Sequence, residues 1–525
     1  MFMKLVLFIL TSYILFSCSQ KTETQILLPF EEQSISVSKK IKIALSEEYL
    51  DQMGLPDSTL LFLDGYYSNR SYTPRWLNDS MITQEGTAMK ALLSQTLSLG
   101  IPLNRISFAT TENYIQDEIN LTISLAQIIG DLQHGFVDYE NKVKKPKRLV
   151  APSELDSLLA FNFDADLRPQ FLKYGPADTS YQVLGKGLIA LIDTLPIDQA
   201  TFAVKSIKHD TTDAIKRTRK ALISKGYITP STDSTSTILG LKRFQKDNNL
   251  IPDGVIGKYT SEALNESTYH KLERIILAMD KIRDRAPRPD KYIHINIPEF
   301  KLRYYVDGTL KSDHNIVVGK YKSQTPELTS KLRKIVAYPY WNLPYSISSK
   351  EVLPHLRRDS SYMDKHNYKL FKKGMEINPD SIDWSRIRQN SFPFKIRQDP
   401  GPMNSLGIIK FVFYNKHSVY FHDTPSKSLF NTNIRAYSHG CMRTQNPVDL
   451  AKVILENDVR KSKFNSTIPD SLDAILTRNT NHEIKLLSPI AIFIEYQSVT
   501  RKNESMVLHL DIYGRDEEYL AIMRE

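Results

Sequence analysis

Ile293-His294-Ile295-Asn296-Ile297 and Leu302-Arg303-Tyr304-Tyr305-Val306-Asp307-Gly308 mark a change of period in this chain. Upstream, apolar residues recur mainly at helical spacing. Here they alternate: Ile293, Ile295 and Ile297 fall on one face, and Leu302, Tyr304 and Val306 on one face of the next segment. A period of two is that of a half-buried strand. Asp307-Gly308 is a hairpin turn, and Ile316-Val317-Val318-Gly319 closes the unit. Residues 407–414 and 418–421 read as a second strand pair, which puts His422 at a strand end, a rigid base from which to aim an imidazole. Asn446-Pro447 then opens a helix over 448–455, with Pro447 at its first position. The expectation is a mainly β domain with a few helices.

Within that domain stands Ser438-His439-Gly440-Cys441-Met442-Arg443-Thr444. Cys441 is one of two cysteines in 525 residues, the other being Cys18. A lone cysteine with histidines in the same domain reads as a nucleophile. The thiolate is the attacking species, and an imidazole can take the thiol proton. His422 and His439 both qualify. Gly440 permits a backbone shape that other residues resist, and amides around Gly440 and Cys441 suit a developing oxyanion. Two rival readings exist. A buried cysteine is often an inert small hydrophobe. His422, Asp423, His439 and Cys441 include acceptable zinc ligands, but a second cysteine ligand and an H-E-x-x-H are both lacking, so no metal or cofactor is expected. Arg443 suits a bidentate hold on a carboxylate, its rival role being a structural ion pair.

Three blocks carry a resemblance: 400–407 (Pro-Gly-Pro-Met-Asn-Ser-Leu-Gly), 422–427 (His-Asp-Thr-Pro-Ser-Lys) and 435–441 (Arg-Ala-Tyr-Ser-His-Gly-Cys). In this order they resemble the catalytic core of the YkuD-type L,D-transpeptidases, and most closely the large YcbB-like branch. The resemblance implies a Cys441 nucleophile with His422 as proton donor and acceptor, its ring oriented by the Asp423 carbonyl. It places His439 and Gly440 beside the oxyanion site, and Ser438, Arg443, Tyr340, Trp341 and Asn342 around the substrate. It implies an inserted helical lid at 346–397 within a catalytic domain at 288–495, followed by a tail at 496–525. The substrates implied are peptidoglycan stem peptides: a tetrapeptide donor and a diaminopimelate-type acceptor, joined in a 3→3 crosslink through a thioester, in cell wall biogenesis and cell shape. Alternatives are an L,D-carboxypeptidase or a catalytically silent lipoprotein that anchors membrane to wall. The intact histidine–cysteine set argues against the silent reading.

Residues 41–205 read as helical, with apolar spacing over 88–99 as one example. This stretch resembles the branch's scaffold domain, with Tyr66-Tyr67-Ser68-Asn69-Arg70, Trp76 and 131–138 as supporting pieces; His134 reads as a packing or capping residue. Residues 210–268, with Leu239, Leu241 and Phe244 on a helix before Asp253-Gly254-Val255-Ile256-Gly257, resemble a small peptidoglycan-binding module. The fold class expected is thus multidomain α+β.

The chain starts Met1-Phe2-Met3-Lys4, continues with an apolar run to Phe16, then Ser17-Cys18. This is a secretory leader, too short for an ordinary membrane span. Residues 15–18 resemble a lipobox, so 1–17 is read as a signal peptide, Cys18 as lipidated, and 19–40 as a polar tether. A periplasm-facing envelope lipoprotein follows, and the lack of Asp at Ser19 points to outer-membrane sorting. The net charge of +10, from 69 basic and 59 acidic residues, forms no concentrated basic run, and nucleic acid is not expected.

Overall fold

The computed structural model describes residues 35–46, 55–106, 111, 113–206, 211–359, 361–459 and 472–525. The leader, Cys18 and most of the tether lie outside them. One compact unit contains the described residues up to Gln95 together with Arg105–Asp131 and Lys147–Leu167; the second contains Thr96–Asn104, Leu132–Pro146 and Arg168–Glu525.

The first unit is helical. Its core includes Tyr66, Tyr67 and Trp76. The buried Glu118 carboxylate ties Tyr67 to Trp76 by accepting from the amides of Arg75 (2.7 Å) and Trp76 (2.8 Å) and from the Tyr67 hydroxyl (2.9 Å). A buried carboxylate is tolerated only when paired in this way. The helical spacing read over 88–99 turns out as two pieces, a helix Gln84–Leu93 and a 3-10 turn Thr96–Leu99.

In the second unit, three helices, Thr211–Ser224, Ser234–Asp247 and Lys258–Asn265, pack around Leu222, Leu241, Phe244 and Leu264. Of Leu239, Leu241 and Phe244 on the second of these helices, the last two are buried and Leu239 is exposed. Helix Thr268–Arg283 follows and is buried nearly all round.

The alternating segments form strands as expected: β1 (Lys291–Asn296), β2 (Lys301–Val306) and β3 (Thr309–Gly319), with Ile293, Ile295, Leu302 and Tyr304 fully buried. Asp307 and Gly308 both take positive φ, 50° and 71°, the geometry a two-residue hairpin needs. With β4 (Leu328–Ala337), β5 (Ile409–Phe413), β6 (Phe421–His422), β7 (Ala436–Ser438), β8 (Met442–Thr444) and β9 (His482–Glu495), these strands form one sheet. Its order among the described residues is β7-β3-β8-β6-β5-β4-β9-β1-β2, and β2 also pairs with β3, so the sheet closes on itself. Helix Pro447–Val459 begins at Pro447 as read.

The insertion differs from the helical expectation. Its first part is helical, through Tyr345–Ile347, a π turn at Ser348–Val352, Leu353–Leu356 and Tyr362–Lys365. Its second part is a sheet: Tyr368–Lys372, Met375–Ile377 and Lys395–Gln398, the last pairing with Trp341–Asn342. The physical reason is a hairpin at Lys373-Gly374, both at positive φ (50° and 87°), which turns the chain back on itself. The insertion has a core of its own, including Leu356, Leu370, Trp384 and Phe394.

Candidate active site

Strand register assembles the site. His422 on β6 pairs with Lys410 on β5 and with Arg443 on β8; Phe421 pairs with Phe411 and Met442. Neighbours across strands share a face, and residues two apart share it too. Phe411, Phe421 and Met442 are fully buried in the core. Lys410, Tyr420, His422, Cys441 and Arg443 therefore meet on the opposite face.

Cys441 is a half-buried free thiol. Burial pushes it above its ordinary value, while hydrogen bonding from the Tyr420 backbone, the Lys410 charge, the Tyr420 hydroxyl and the Arg443 charge pull it back. Tyr420 is itself held: the Trp341 side chain hydrogen-bonds its hydroxyl, and the Lys410 ammonium lies 3.7 Å from its ring centre. Burial, followed by the neighbouring thiolate charge, pushes the Tyr420 phenol upward, so it stays a donor. Burial also lowers Lys410 and Arg443.

His422 is 5% exposed. Its Nδ1 hydrogen-bonds the Asp423 carbonyl, which fixes the tautomer with Nδ1–H as donor and Nε2 as acceptor. Burial first, then the Arg443 charge, push its pKa down to about 3, against the pull of the Asp423 carbonyl. Resting His422 is neutral, and so is the thiol. Asp423 is held in turn: its carboxylate accepts from the Ile408 amide (3.0 Å) and pairs with Lys427. Gly407 is required beside it, since a Cβ there would lie 2.3 Å from that carboxylate.

The loop before the thiol is fastened from both sides. Gly440 sits at φ +113°, where L side chains are strained. The Ser438 hydroxyl accepts from the Gly440 amide (3.1 Å) and donates to the Cys441 carbonyl (2.5 Å). This engages the Gly440 N–H and leaves the amides of His439 and Cys441 as the candidate oxyanion donors. Behind the loop, Thr325 donates to the Gly440 carbonyl (2.8 Å), and Tyr513 donates to the Gly319 carbonyl while accepting from the Thr325 amide (3.2 Å). His439 faces outward, its Nε2 2.6 Å from Glu351 and 3.4 Å from Lys320.

Among the substrate candidates, Arg443 makes no salt bridge among the described residues and stands across from His422. Trp341 reaches the nucleophile through Tyr420. Tyr340 and Asn342 flank Trp341; Tyr340 lies under the Arg397 guanidinium (4.7 Å), and Asn342 is exposed. Among the described residues no group of three or more His, Cys, Asp or Glu side chains converges as metal ligands do. Sequence reasoning passed over Tyr420, Lys410, Lys320 and Glu351. Tyr420 had a signal, since it stands two residues from His422 on a strand.

Residues 290–462 match the family model of the YkuD L,D-transpeptidase catalytic domain, and residues 62–188 match that of the Scaffold domain. A Haemophilus influenzae protein named "Putative L,D-transpeptidase" is 34% identical over 244 residues, 46% of this chain and 48% of that protein; the chain spans about half the length of the curated relative it matches. Two solved structures align more distantly. The L,D-transpeptidase of Xylanimonas cellulosilytica is 14% identical, covering 53% of this chain and 90% of that one at a TM-score of 0.17. The Ldtfm-avibactam carbamoyl enzyme is 12% identical, covering 44% and 63% at a TM-score of 0.18. On the two family matches, the chain carries a YkuD-type L,D-transpeptidase catalytic domain together with a Scaffold domain.

Proposed function

We propose that this protein is an exported L,D-transpeptidase that joins peptidoglycan stem peptides through a Cys441 thioester. The observation that carries the reading is the convergence of a free thiol, a neutral imidazole with a fixed tautomer and an arginine with no salt bridge among the described residues on one sheet face. The thiol proton passes to His422 Nε2 as the sulfur attacks the carbonyl between residue three of the donor stem and its terminal D-Ala. Because neither group is charged at rest, proton transfer accompanies attack rather than preceding it. The His439 and Cys441 amides receive the oxyanion, and Arg443 holds a donor carboxylate. Collapse breaks the C–N bond, His422 returns its proton to the departing D-Ala amine, and a thioester remains. An acceptor amine then displaces sulfur and closes a 3→3 crosslink. Every step uses this chain's own groups.

The lipidated Cys18, the tether and an outer-membrane, periplasm-facing position belong to the same proposal and rest on the leader reading; peptidoglycan binding by 210–268 rests on its resemblance. The test is incubation with tetrapeptide-bearing muropeptides, followed by separation of monomers, tripeptides and 3→3 dimers. Dimer formed by the unaltered protein and lost in Cys441→Ala is the expected result. Tripeptide alone indicates a carboxypeptidase, and no product a wall anchor.

A further inference from the structure

The insertion touches the catalytic loop at one charged point. The π turn Ser348–Val352, a rare geometry frequent at functional sites, puts Glu351 2.6 Å from Nε2 of His439, two residues before the nucleophile. Lys320 Nζ is 3.4 Å from the same nitrogen. A single Nε2 cannot serve both. If it carries the proton it donates to Glu351 and has no lone pair for Lys320; if bare, it accepts from Lys320 and leaves Glu351 without a donor. One of the two charges always lacks its partner. His439 and Glu351 side chains are 38% and 48% exposed, so both are open to a ligand.

The surroundings favour a cation at Glu351. Burial raises the Tyr362 and Tyr368 phenols, and the Glu351 charge reaches both and adds to the rise. Those rings belong to an aromatic wall: Tyr362 stacks on His355 at 4.6 Å, and Tyr368 lies 6.5 Å from Trp341. Trp341 leads through Tyr420 to Cys441. A carboxylate beside aromatic faces is the environment that holds an ammonium. In the same turn the Ser348 and Ser349 hydroxyls are buried with no hydrogen-bond partner among the described residues.

We propose that Glu351 and Lys320 form the acceptor subsite, taking the zwitterionic α-amino acid end of the second stem with its ammonium on Glu351 and its carboxylate on Lys320. This rests on the transpeptidase reading above. On binding, the ammonium replaces the His439 contact and gives one proton through Glu351 to water. The free amine's lone pair forms the new C–N bond as the thioester C–S bond breaks. The amine's second proton passes through His422 to sulfur, restoring the Cys441 thiol. Glu351 thus sets the partition of the acyl-enzyme between amine and water.

The test uses the full chain. Acyl-enzyme is formed with a tetrapeptide donor, quantified by intact mass, and chased at matched acyl-enzyme levels with a D-amino acid or with the corresponding amine lacking the carboxylate. The ratio of amide to hydrolysed tripeptide is read. Glu351→Gln is expected to lower that ratio about tenfold for both acceptors, the scale of one charge-assisted hydrogen bond, with Glu351→Asp recovering part of it. Lys320→Met is expected to lower it for the amino acid and leave the carboxylate-free amine unchanged. An unchanged ratio in Glu351→Gln overturns the acceptor subsite while the transpeptidase reading stands. A Lys320→Met effect equal for both acceptors overturns the zwitterion assignment. An unaltered protein that forms no acyl-enzyme overturns the transpeptidase reading and this one with it.

Discussion

Tyr420 and Lys410 give the thiol its local chemistry, and each can be removed singly. Tyr420→Phe takes one hydrogen bond from the sulfur and strands the Trp341 N–H. Acylation by a carbapenem, followed by intact mass, is expected to slow about 10- to 100-fold, the worth of a hydrogen bond to a charged group. Lys410→Met keeps the aliphatic stem and removes the cation. The thiol then rises further, acylation slows, and His422 is relieved of one repelling charge. The pH profile carries the sign. With His422 held down to about 3 and the thiol pushed above its usual value, the reactive neutral pair persists across neutral pH. Single-turnover acylation is therefore expected to run flat through pH 6.5, where a free imidazole would titrate, and in Lys410→Met the acid limb is expected at higher pH than in the unaltered protein. At this scale the sequence was legible where chemistry follows strand period. The bond from His422 to the Asp423 carbonyl lies where the resemblance implied it, whereas Tyr420 was passed over although the same alternation pointed to it. Glu351 could not be found, because its contact with His439 depends on how the insertion docks, which no local pattern encodes.

The loop 438–441 and the insertion are the two elements on which the site depends. A Cβ at Gly440 would meet nothing nearer than 3.5 Å, so space is available and the obstacle is the backbone at φ +113°. Gly440→Ala is expected to cost about 1–3 kcal/mol of local strain, relieved by a shift that breaks the Ser438 and Thr325 bonds. Acylation should fall by more than tenfold while the melting temperature moves by a few degrees. The insertion predicts a different readout. Replacing 346–394 by a short Gly/Ser linker keeps strand Lys395–Gln398 beside Trp341–Asn342 but removes Glu351 from His439 and, on the lid reading, the cover over the thioester. Water competes for the thioester once cover is lost, so product is expected to shift from dimer to tripeptide at matched acyl-enzyme levels, measured by muropeptide separation. The sheet inside the insertion was the element the sequence reading missed. Tyr368 and Leu370 alternate, yet the turn is Lys373-Gly374 rather than Asn-Gly or Asp-Gly, so the strongest hairpin cue was absent. Between β2 and β3 the Asp307-Gly308 cue was present, and the hairpin formed where expected.

Across the second unit, buried titratable groups tie distant segments of chain together and set its response to acid. Asp280 on the central helix accepts from the Phe136 amide (2.9 Å), the Val137 amide (3.2 Å) and the Tyr139 hydroxyl (2.9 Å), which accounts for the run around Gly135 that the sequence could flag but not explain. His509 is buried with Nδ1 lacking a partner among the described residues and Nε2 2.7 Å from Thr500. Burial lowers it to about 4, as burial lowers His422 to about 3. A histidine lowered on folding contributes stability that is full above pH 6.5 and is lost as pH falls toward its folded value, because the unfolded chain takes the proton first. Asp280, pushed up to about 6 chiefly by burial, acts in the opposite direction between pH 3.8 and 6. The drop in melting temperature between pH 7 and pH 5 is expected to be smaller in His509→Gln than in the unaltered protein; comparing the two cancels the terms they share. Tyr513 adds an ordering in time. Its hydroxyl fixes Gly319 and Thr325, and Thr325 fixes Gly440, yet synthesis reaches Tyr513 well after Cys441. A chain emerging from the ribosome holds its thiol before it holds the part that shapes the turn around it. A nascent or prematurely stopped chain that ends before Tyr513 therefore carries the cysteine without the bonds that fasten the turn around it.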